Sequence, residues 1–423
     1  MTGASAAAAL VDRGLDPEAR LASRALFDLV LGSGAPDFLA WVPGRLEVFG
    51  KHTDYAGGRT LVCTLPRGFA VAARGRRDGR VHVVDAVRAE EHTVDARGPF
   101  ERRSGWRNYV TVVLRRLARN FPGAALGADI VLASDLPSAA GMSSSSALVV
   151  GVAAALRRLA DLDSRKAWQS NIRTDLDVAG YYACLENGLT FGTLAGDRGV
   201  GTHGGSEDHA AIVTGRPHHV TAFSFVPMMR IGDAELPRGW RFVLAPSGVR
   251  AAKTGAARPA YNRLSRGARA LQDLANQTVP GARSLAAALA ADGEADLRDR
   301  IRHSKVKGWP SSALDERLDH FVREDARVIA AFAAFRHADR TAIARLADAS
   351  QSEAEELLGN QVVETVALAR SARDLGAFAA SSFGAGFGGS VWALVEADRA
   401  TAFAARWSPR AFVASPGPPL SEL

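Results

Sequence analysis

The sequence predicts an α+β protein built as two domains. Its 423 residues exceed what one ordinary hydrophobic core holds, so two domains of roughly 200 residues each follow. Short segments of apolar alternation are mixed with longer segments whose apolar residues recur at helical spacing. Polar, Gly-rich loops separate them at three places, and a cleft between domains is the natural place for such loops to meet. The domain change is expected near residue 225, giving domains over 20–225 and 226–415.

In chain order, residues 1–20 are Ala-rich and read as a poorly ordered start or a loose first turn. Leu21 to Leu31 follows as an amphipathic helix, and Phe38 to Val48 as two short strands meeting at Pro43 and Gly44. The polar stretch from Gly50 to Gly58 (GKHTDYAGG) reads as a loop. Leu61 to Val94 alternates around Gly68, Gly75 and Gly79, a hairpin pattern. Trp106 to Phe121 has helical spacing, Ala128 to Ala133 is a short strand, and Ser164 to Leu189 reads as helical. Glu207 to Val213 is expected to run from a loop into a strand. Strands are expected at Val220 to Phe225 and Trp240 to Pro246, then a loop, a mostly helical region from Tyr261 to Leu375, and a strand at Val391 to Val395. The Pro416 to Pro419 tail reads as disordered or extended.

The totals exclude several classes. With 47% hydrophobic and 23% charged residues the composition is that of a soluble globular protein. No apolar run reaches the roughly 18–20 residues of a membrane span. Ala6 to Leu10 lacks a preceding basic stretch and a cleavage site, so no signal peptide is expected and the cytoplasm is the expected compartment. The net charge of +7 raises nucleic acid as a partner. The arginines, however, are dispersed in short groups without aromatic interleaving, which fits a solvated surface instead. Among 52 basic residues only Lys51, Lys166, Lys253, Lys305 and Lys307 are lysines, so each stands where arginine is otherwise preferred. Cys63 and Cys184 are too few for a disulfide framework and sit among apolar neighbours, as inert free thiols do. No obligate protein partner is evident, and a monomer is the simple expectation.

The chain's chemistry centres on Pro137 to Gly151 (PSAAGMSSSSALVVG). Ala147 to Leu162 reads as a buried helix, so Ser143, Ser144, Ser145 and Ser146 stand at its start. Unpaired N–H groups and partial positive charge collect there, Gly141 permits close backbone approach, and the hydroxyls add donors. That combination suits a nucleotide's phosphates. A single serine would read as an N-cap; four behind a glycine read as a cradle. The cradle is not a Walker A sequence. A further Gly-rich run, Ser381 to Ser390 (SSFGAGFGGS), carries Gly384, Gly386, Gly388 and Gly389.

Together the GKHTDYAGG loop, the Ser cradle and the SSFGAGFGGS loop resemble, in order and spacing, the three motifs of the GHMP kinase superfamily, in detail its galactokinase branch. The similarity runs from about residue 38 to residue 396. It implies a ribosomal S5 domain 2-like N-terminal domain, a ferredoxin-like C-terminal domain and an active site in the cleft. It further implies ATP-dependent phosphorylation of a sugar's anomeric hydroxyl, galactose first, with Mg2+. By resemblance Ser145 and Glu186 would hold the metal, Asp208 would be the base with Glu207 as fallback, and Arg45 would keep Asp208 ionised and stabilise phosphoryl charge. His52, Asp54 and Tyr261 match sugar-contacting positions.

Three departures stand out. His209 replaces the family's Gln, the loop from Gly192 to Ser206 is longer than usual, and Lys51 replaces a Glu that accepts from the sugar's distal end. An ammonium only donates, so a uronic acid is one expected acceptor if Lys51 faces the sugar. Otherwise Lys51 pairs with Glu47 or Asp54 or points to solvent. Arabinose and an N-acetylhexosamine are further alternatives, and a catalytically inactive sugar- and ATP-sensing regulator is the reading of another class.

Overall fold

A computed structural model describes residues 1–32, 34–251, 258–277 and 279–423. Its strands are β1 (Phe38–Phe49), β2 (Arg59–Gly75), β3 (Arg80–Asp85), β4 (Glu90–Asp95), β5 (Ala128–Ser134), β6 (His219–Ser224), β7 (Met229–Glu235), β8 (Trp240–Pro246), β9 (Ala379–Phe383), β10 (Ser390–Glu396), β11 (Phe412–Ala414) and β12 (Ser421–Glu422). Among the described residues they form two sheets. The first runs β12-β1-β2-β5-β3-β4, with β6 on the early half of β2 and β7 beside β6; the second runs β11-β8-β10-β9. Among the described residues, β3 and β5 are the one parallel pair.

Strand alternation places the cores. On β1, Phe38, Ala40 and Val42 enter the main core with helices Trp106–Asn120 and Ser144–Leu159. Leu39 and Trp41 point the other way, against Ala6, Leu10, Phe27 and Val30. Both faces of the sheet are therefore covered. β8 and β10 divide likewise. Phe242, Leu244, Trp392 and Leu394 join the main core, while Val243, Ala245, Val391 and Ala393 pack on helices Val363–Asp374 and Ala400–Trp407. A separate cluster holds the helical region, with Leu271, Leu285, Leu314, Leu318 and Phe321 around Ala56 of the polar loop.

Several expectations change. The start of the chain is a helix, Gly3–Asp12, with a Thr2 capping box and buried Ala6 and Leu10, because small side chains let it lie close on the sheet. Phe38 to Val48 is one strand, not two; Pro43 and Gly44 mark a register shift against β2. Glu207–Thr214 is a helix rather than a strand. The hairpin β6–β7 pairs within the first sheet, so that sheet continues past the boundary expected at 225, and the second begins with β8. The tail is ordered: Pro416, Gly417 and Pro418 are buried, Thr64 donates to the Gly417 carbonyl at 2.5 Å, and β12 pairs with β1. Part of the loop expected after Pro246, residues 252–257, lies outside the described residues. No described helix is long and apolar enough to cross a membrane.

Candidate active site

The Ser cradle opens helix Ser144–Leu159, and its N-cap is Ser143, held at a left-handed φ of 59°. Gly141 and Gly384, both at positive φ, bring two loops together backbone to backbone. A Cβ on Gly384 would stand 3.0 Å from the Gly141 carbonyl oxygen, closer than nearly all real contacts allow. Gly386, Gly388 and Gly389 complete the turn from β9 to β10, where Ser390 donates to the Ala140 carbonyl at 2.7 Å. Gly141, Ser143, Ser144 and Ser145 line a 660 Å³ groove that also carries Trp106, Tyr109 and Leu148. A groove that combines hydroxyls and helix N–H groups with aromatic rings fits a nucleotide.

Ser146 faces elsewhere. Its hydroxyl lies 2.9 Å from Glu186 Oε2 and 3.1 Å from Asp208 Oδ2. The residues thought to share a metal were Ser145 and Glu186, but the hydroxyl that reaches Glu186 belongs to Ser146. One helical residue is about 100° of rotation, which turns Ser145 to the nucleotide groove. Ser146 has one proton for two carboxylates, so two anionic oxygens converge on one hydroxyl. That oxygen donor set fits a hard divalent cation. Among the described residues no group of three or more His, Cys, Asp or Glu could hold a metal by itself, so phosphate oxygens would have to complete the coordination.

A second cavity opens on the far side of Ser146. It is lined by Arg45, Glu47, His52, Asp54, Tyr55, Ser146, Glu186, Gly204, Gly205, Glu207, Asp208, His209 and Tyr261 among others. β1 supplies Arg45 and, two residues on and hence on the same face, Glu47. Arg45 is 2% exposed. Its Nη1 donates to the Gly141 carbonyl at 3.2 Å, and its Nη2 lies 2.5 Å from Glu207 Oε1 and 2.6 Å from Asp208 Oδ1. Burial works against the guanidinium's charge, but Asp208, Glu207 and Glu47 outweigh it and raise its pKa.

Helix Glu207–Thr214 starts with the two acids. Glu207 N–H donates to Asp54 Oδ2 at 3.1 Å, and Tyr55 N–H to Asp54 Oδ1 at 2.8 Å. Burial raises the Asp54 pKa against these bonds, helped by Asp208. Glu207 is pushed well above the usual carboxylate range by burial and by Glu47, Asp54 and Asp208, with Arg45 opposing. His209 Nε2 lies 3.4 Å from Glu186 Oε2.

His52 Nε2 is 3.1 Å from the Ala385 carbonyl, which only accepts, so that nitrogen carries the proton. Nδ1 then accepts from the Tyr55 hydroxyl at 3.0 Å, and Arg317 donates to that hydroxyl. Tyr261, from helix Arg258–Ala275, packs its ring 5.6 Å from His52. The cavity's free volume is 30 Å³, room for a water or two.

Lys51 does not line this cavity. It is 1% exposed, and its ammonium donates to Ser350 Oγ at 2.7 Å and Ser381 Oγ at 2.9 Å. Burial lowers its pKa, with Glu324 the principal opposing charge. Its ammonium therefore hydrogen-bonds to neither Glu47 nor Asp54 and does not face solvent, and it lies outside the lining of the cavity that holds His52, Asp54 and Tyr261. Glu324, 273 positions from Lys51, is announced by no local pattern, and Glu47, named from the sequence only as a possible partner of Lys51, joins the site through its two-residue spacing from Arg45. The long loop before Asp208 is pinned by Arg115 to Asp197 at 2.7 Å and by Arg116, which donates to the Leu194 carbonyl in the loop and to the Cys184 and Leu189 carbonyls ahead of it.

Comparison with known proteins places this geometry. Residues 108–181 match the family described as GHMP kinases N terminal domain, residues 331–414 match GHMP kinases C terminal, and residues 25–75 match the galactokinase galactose-binding signature. A galactokinase of Roseiflexus sp. (strain RS-1) is 29% identical over 363 residues, 85% of this chain and 84% of that protein. One of Actinobacillus pleuropneumoniae is 35% identical over 125 residues, 29% of this chain and 32% of that protein. In fold, the chain is similar to Lactococcus lactis galactokinase complexed with galactose, with TM-score 0.76, 22% identity and 95% and 100% coverage of the two chains. It is also similar to Methanococcus jannaschii mevalonate kinase, with TM-score 0.57, 11% identity and 90% and 98% coverage. The chain thus carries the galactokinase galactose-binding signature and both GHMP kinase terminal domains, on the two-domain GHMP kinase fold.

Proposed function

We propose that this chain transfers the γ-phosphoryl group of ATP to the anomeric hydroxyl of a hexose, galactose in the first instance, to give the sugar 1-phosphate. The observation that carries the reading is the convergence of Asp208, Arg45 and Ser146 between the Ser/Gly nucleotide groove and a polar cavity. Asp208 accepts the proton of the attacking hydroxyl or orients it, and Arg45 offers its guanidinium to charge on the transferring group. His52, Asp54 and Tyr261 hold the sugar; Asp54, with both oxygens already engaged by backbone N–H groups, is fixed in place as a clamp. Ser146 and Glu186, with Ser145 from the groove side, would hold a magnesium ion, which supplies charge neutralisation at the phosphates. The cytoplasm is the proposed compartment, since ATP is a substrate. Lys51 is committed to Ser350 and Ser381, which removes the support for a uronic acid.

The test is ATP turnover by the purified protein over a panel of sugars, with phosphorus NMR identifying the product. Galactose-dependent ADP release with a 1-phosphate product is expected, and Asp208→Ala lowers kcat by about 10²–10⁴-fold. Sugar binding without ADP release from the unsubstituted protein would instead favour the sensing regulator.

A further inference from the structure

The acceptor cavity carries more negative charge than a neutral sugar can answer. Glu47, Asp54, Glu186, Glu207 and Asp208 line it, and Arg45 is the only Arg or Lys among its described lining residues. Lys51, the nearest alternative by sequence, spends its donors on Ser350 and Ser381 outside the lining. A metal with the nucleotide would answer Glu186. Glu47, Asp54, Glu207 and Asp208 would still face a single guanidinium.

The individual oxygens say where a further cation belongs. Both Asp54 oxygens accept backbone N–H groups, and Glu47 Oε1 accepts from Gly384 N–H at 3.4 Å. Glu207 Oε1 is taken by Arg45. Glu207 Oε2 is buried with no hydrogen-bond partner, on a residue 7% exposed. Such an oxygen is costly unless a ligand completes it. A hydroxyl could donate to it but leaves the charge in place, whereas an ammonium does both.

Position selects the class of amine. Glu207 and Asp208 are consecutive at a helix start and both hold Arg45 Nη2. A group on Glu207 Oε2 therefore sits beside the hydroxyl served by Asp208. On a hexose phosphorylated at C1, the neighbouring substituent is at C2. We propose that the preferred acceptor is a 2-amino-2-deoxyhexose of galactose configuration, its ammonium bound by Glu207. This rests on the sugar 1-kinase reading. The bond from the γ-phosphorus to the ADP oxygen breaks as the bond from that phosphorus to the anomeric oxygen forms. The hydroxyl proton passes to Asp208, and the ammonium keeps its own.

The experiment compares kcat/KM for 2-amino-2-deoxygalactose, galactose and N-acetylgalactosamine, with calorimetric titration of each sugar in parallel. The amino sugar is expected to exceed galactose by at least about tenfold, and the neutral N-acetyl derivative to lose that advantage. Glu207→Gln brings the amine-to-galactose ratio to about one or below, while Glu207→Asp, which retains the charge, keeps part of it. The ratio is read within each folded variant, so a general loss of activity does not mimic the effect. Galactose used as well as the amine, or a ratio unchanged by Glu207→Gln, overturns the proposal and leaves the kinase reading standing. No turnover of any sugar would sink the kinase reading; the titrations then decide this one, and galactosamine binding no tighter than galactose overturns it.

Discussion

Arg45 is the residue on which the two halves of the site depend. It reaches the cradle through the Gly141 carbonyl and the acceptor side through Glu207 and Asp208, a set of directions only a planar fork with several donors can serve. Arg45→Lys is therefore expected to lower kcat by about 10²-fold or more, read by steady-state kinetics, although charge is conserved. Gly205 is the second residue with a decided role. A Cβ there would lie 1.9 Å from Asp54 Oδ2, and Asp54 cannot retreat without losing its two backbone donors. Gly205→Ala is expected to raise the sugar KM by roughly tenfold or more with little change in the KM for ATP. Equal effects on both would contradict it. Arg45, Asp208, His52 and Asp54 were legible because each sits in a short contiguous motif. Lys51 was misplaced because its partners, Ser350, Ser381 and Glu324, are joined to it only by folding.

Among elements, helix Ser311–Arg336 fixes the polar loop that carries His52 and Asp54. Glu324 Oε1 accepts the Gly50 and Lys51 N–H groups and the Ser350 hydroxyl, Arg317 donates to the His52 carbonyl, and Asp325 grips Arg59. Burial alone would raise the Glu324 pKa, but Lys51, Arg327 and the Gly50 N–H outweigh it and lower it. A carboxylate whose folded pKa is depressed contributes stability that is present above its unfolded value and is lost as pH falls through its folded one. Thermal stability is thus expected to drop as pH falls below the ordinary glutamate range, near 4.5, and Glu324→Gln should flatten that decline. Glu324→Ala, which strands buried Lys51, is expected to cost about 3–5 kcal/mol by denaturant unfolding. Elements with their own periodicity, such as Trp106–Asn120 and β8, were legible. Glu207–Thr214 was not, because eight apolar-rich residues suit a buried strand or a buried helix equally.

At the scale of the whole molecule, the ends of the chain close the first sheet. The Pro416 carbonyl accepts from His218 N–H, Leu420 N–H donates to the Ile212 carbonyl, and Leu423 N–H to the Leu39 carbonyl, beside the Thr64 bond to Gly417. Removing residues 416–423 strands the Leu39 and Ile212 carbonyls and the Thr64 hydroxyl at buried positions and frees the His218 N–H, and a loss on the order of 3–5 kcal/mol is expected at about 1 kcal/mol per bond. A melting temperature unchanged by the truncation would contradict this. The tail's composition pointed the other way, since proline lacks a donor and resists regular structure. Its order comes from what lies beneath it.

By itself the sequence determined the α+β class and the order of the three polar motifs, and it named Arg45, His52, Asp54, Glu186, Asp208 and Tyr261, which the fold brings to one cavity. Each of these depends on residues within a few positions of one another, where periodicity, glycine and hydrogen-bonding capacity act locally. Only the tertiary structure decided which hydroxyl meets Glu186, where Lys51 finds its partners, and how many carboxylates share Arg45. Those outcomes follow from burial. Charges far apart in the chain must be matched once water is excluded, and the residue left incompletely matched, Glu207, is the one that points to a cationic acceptor.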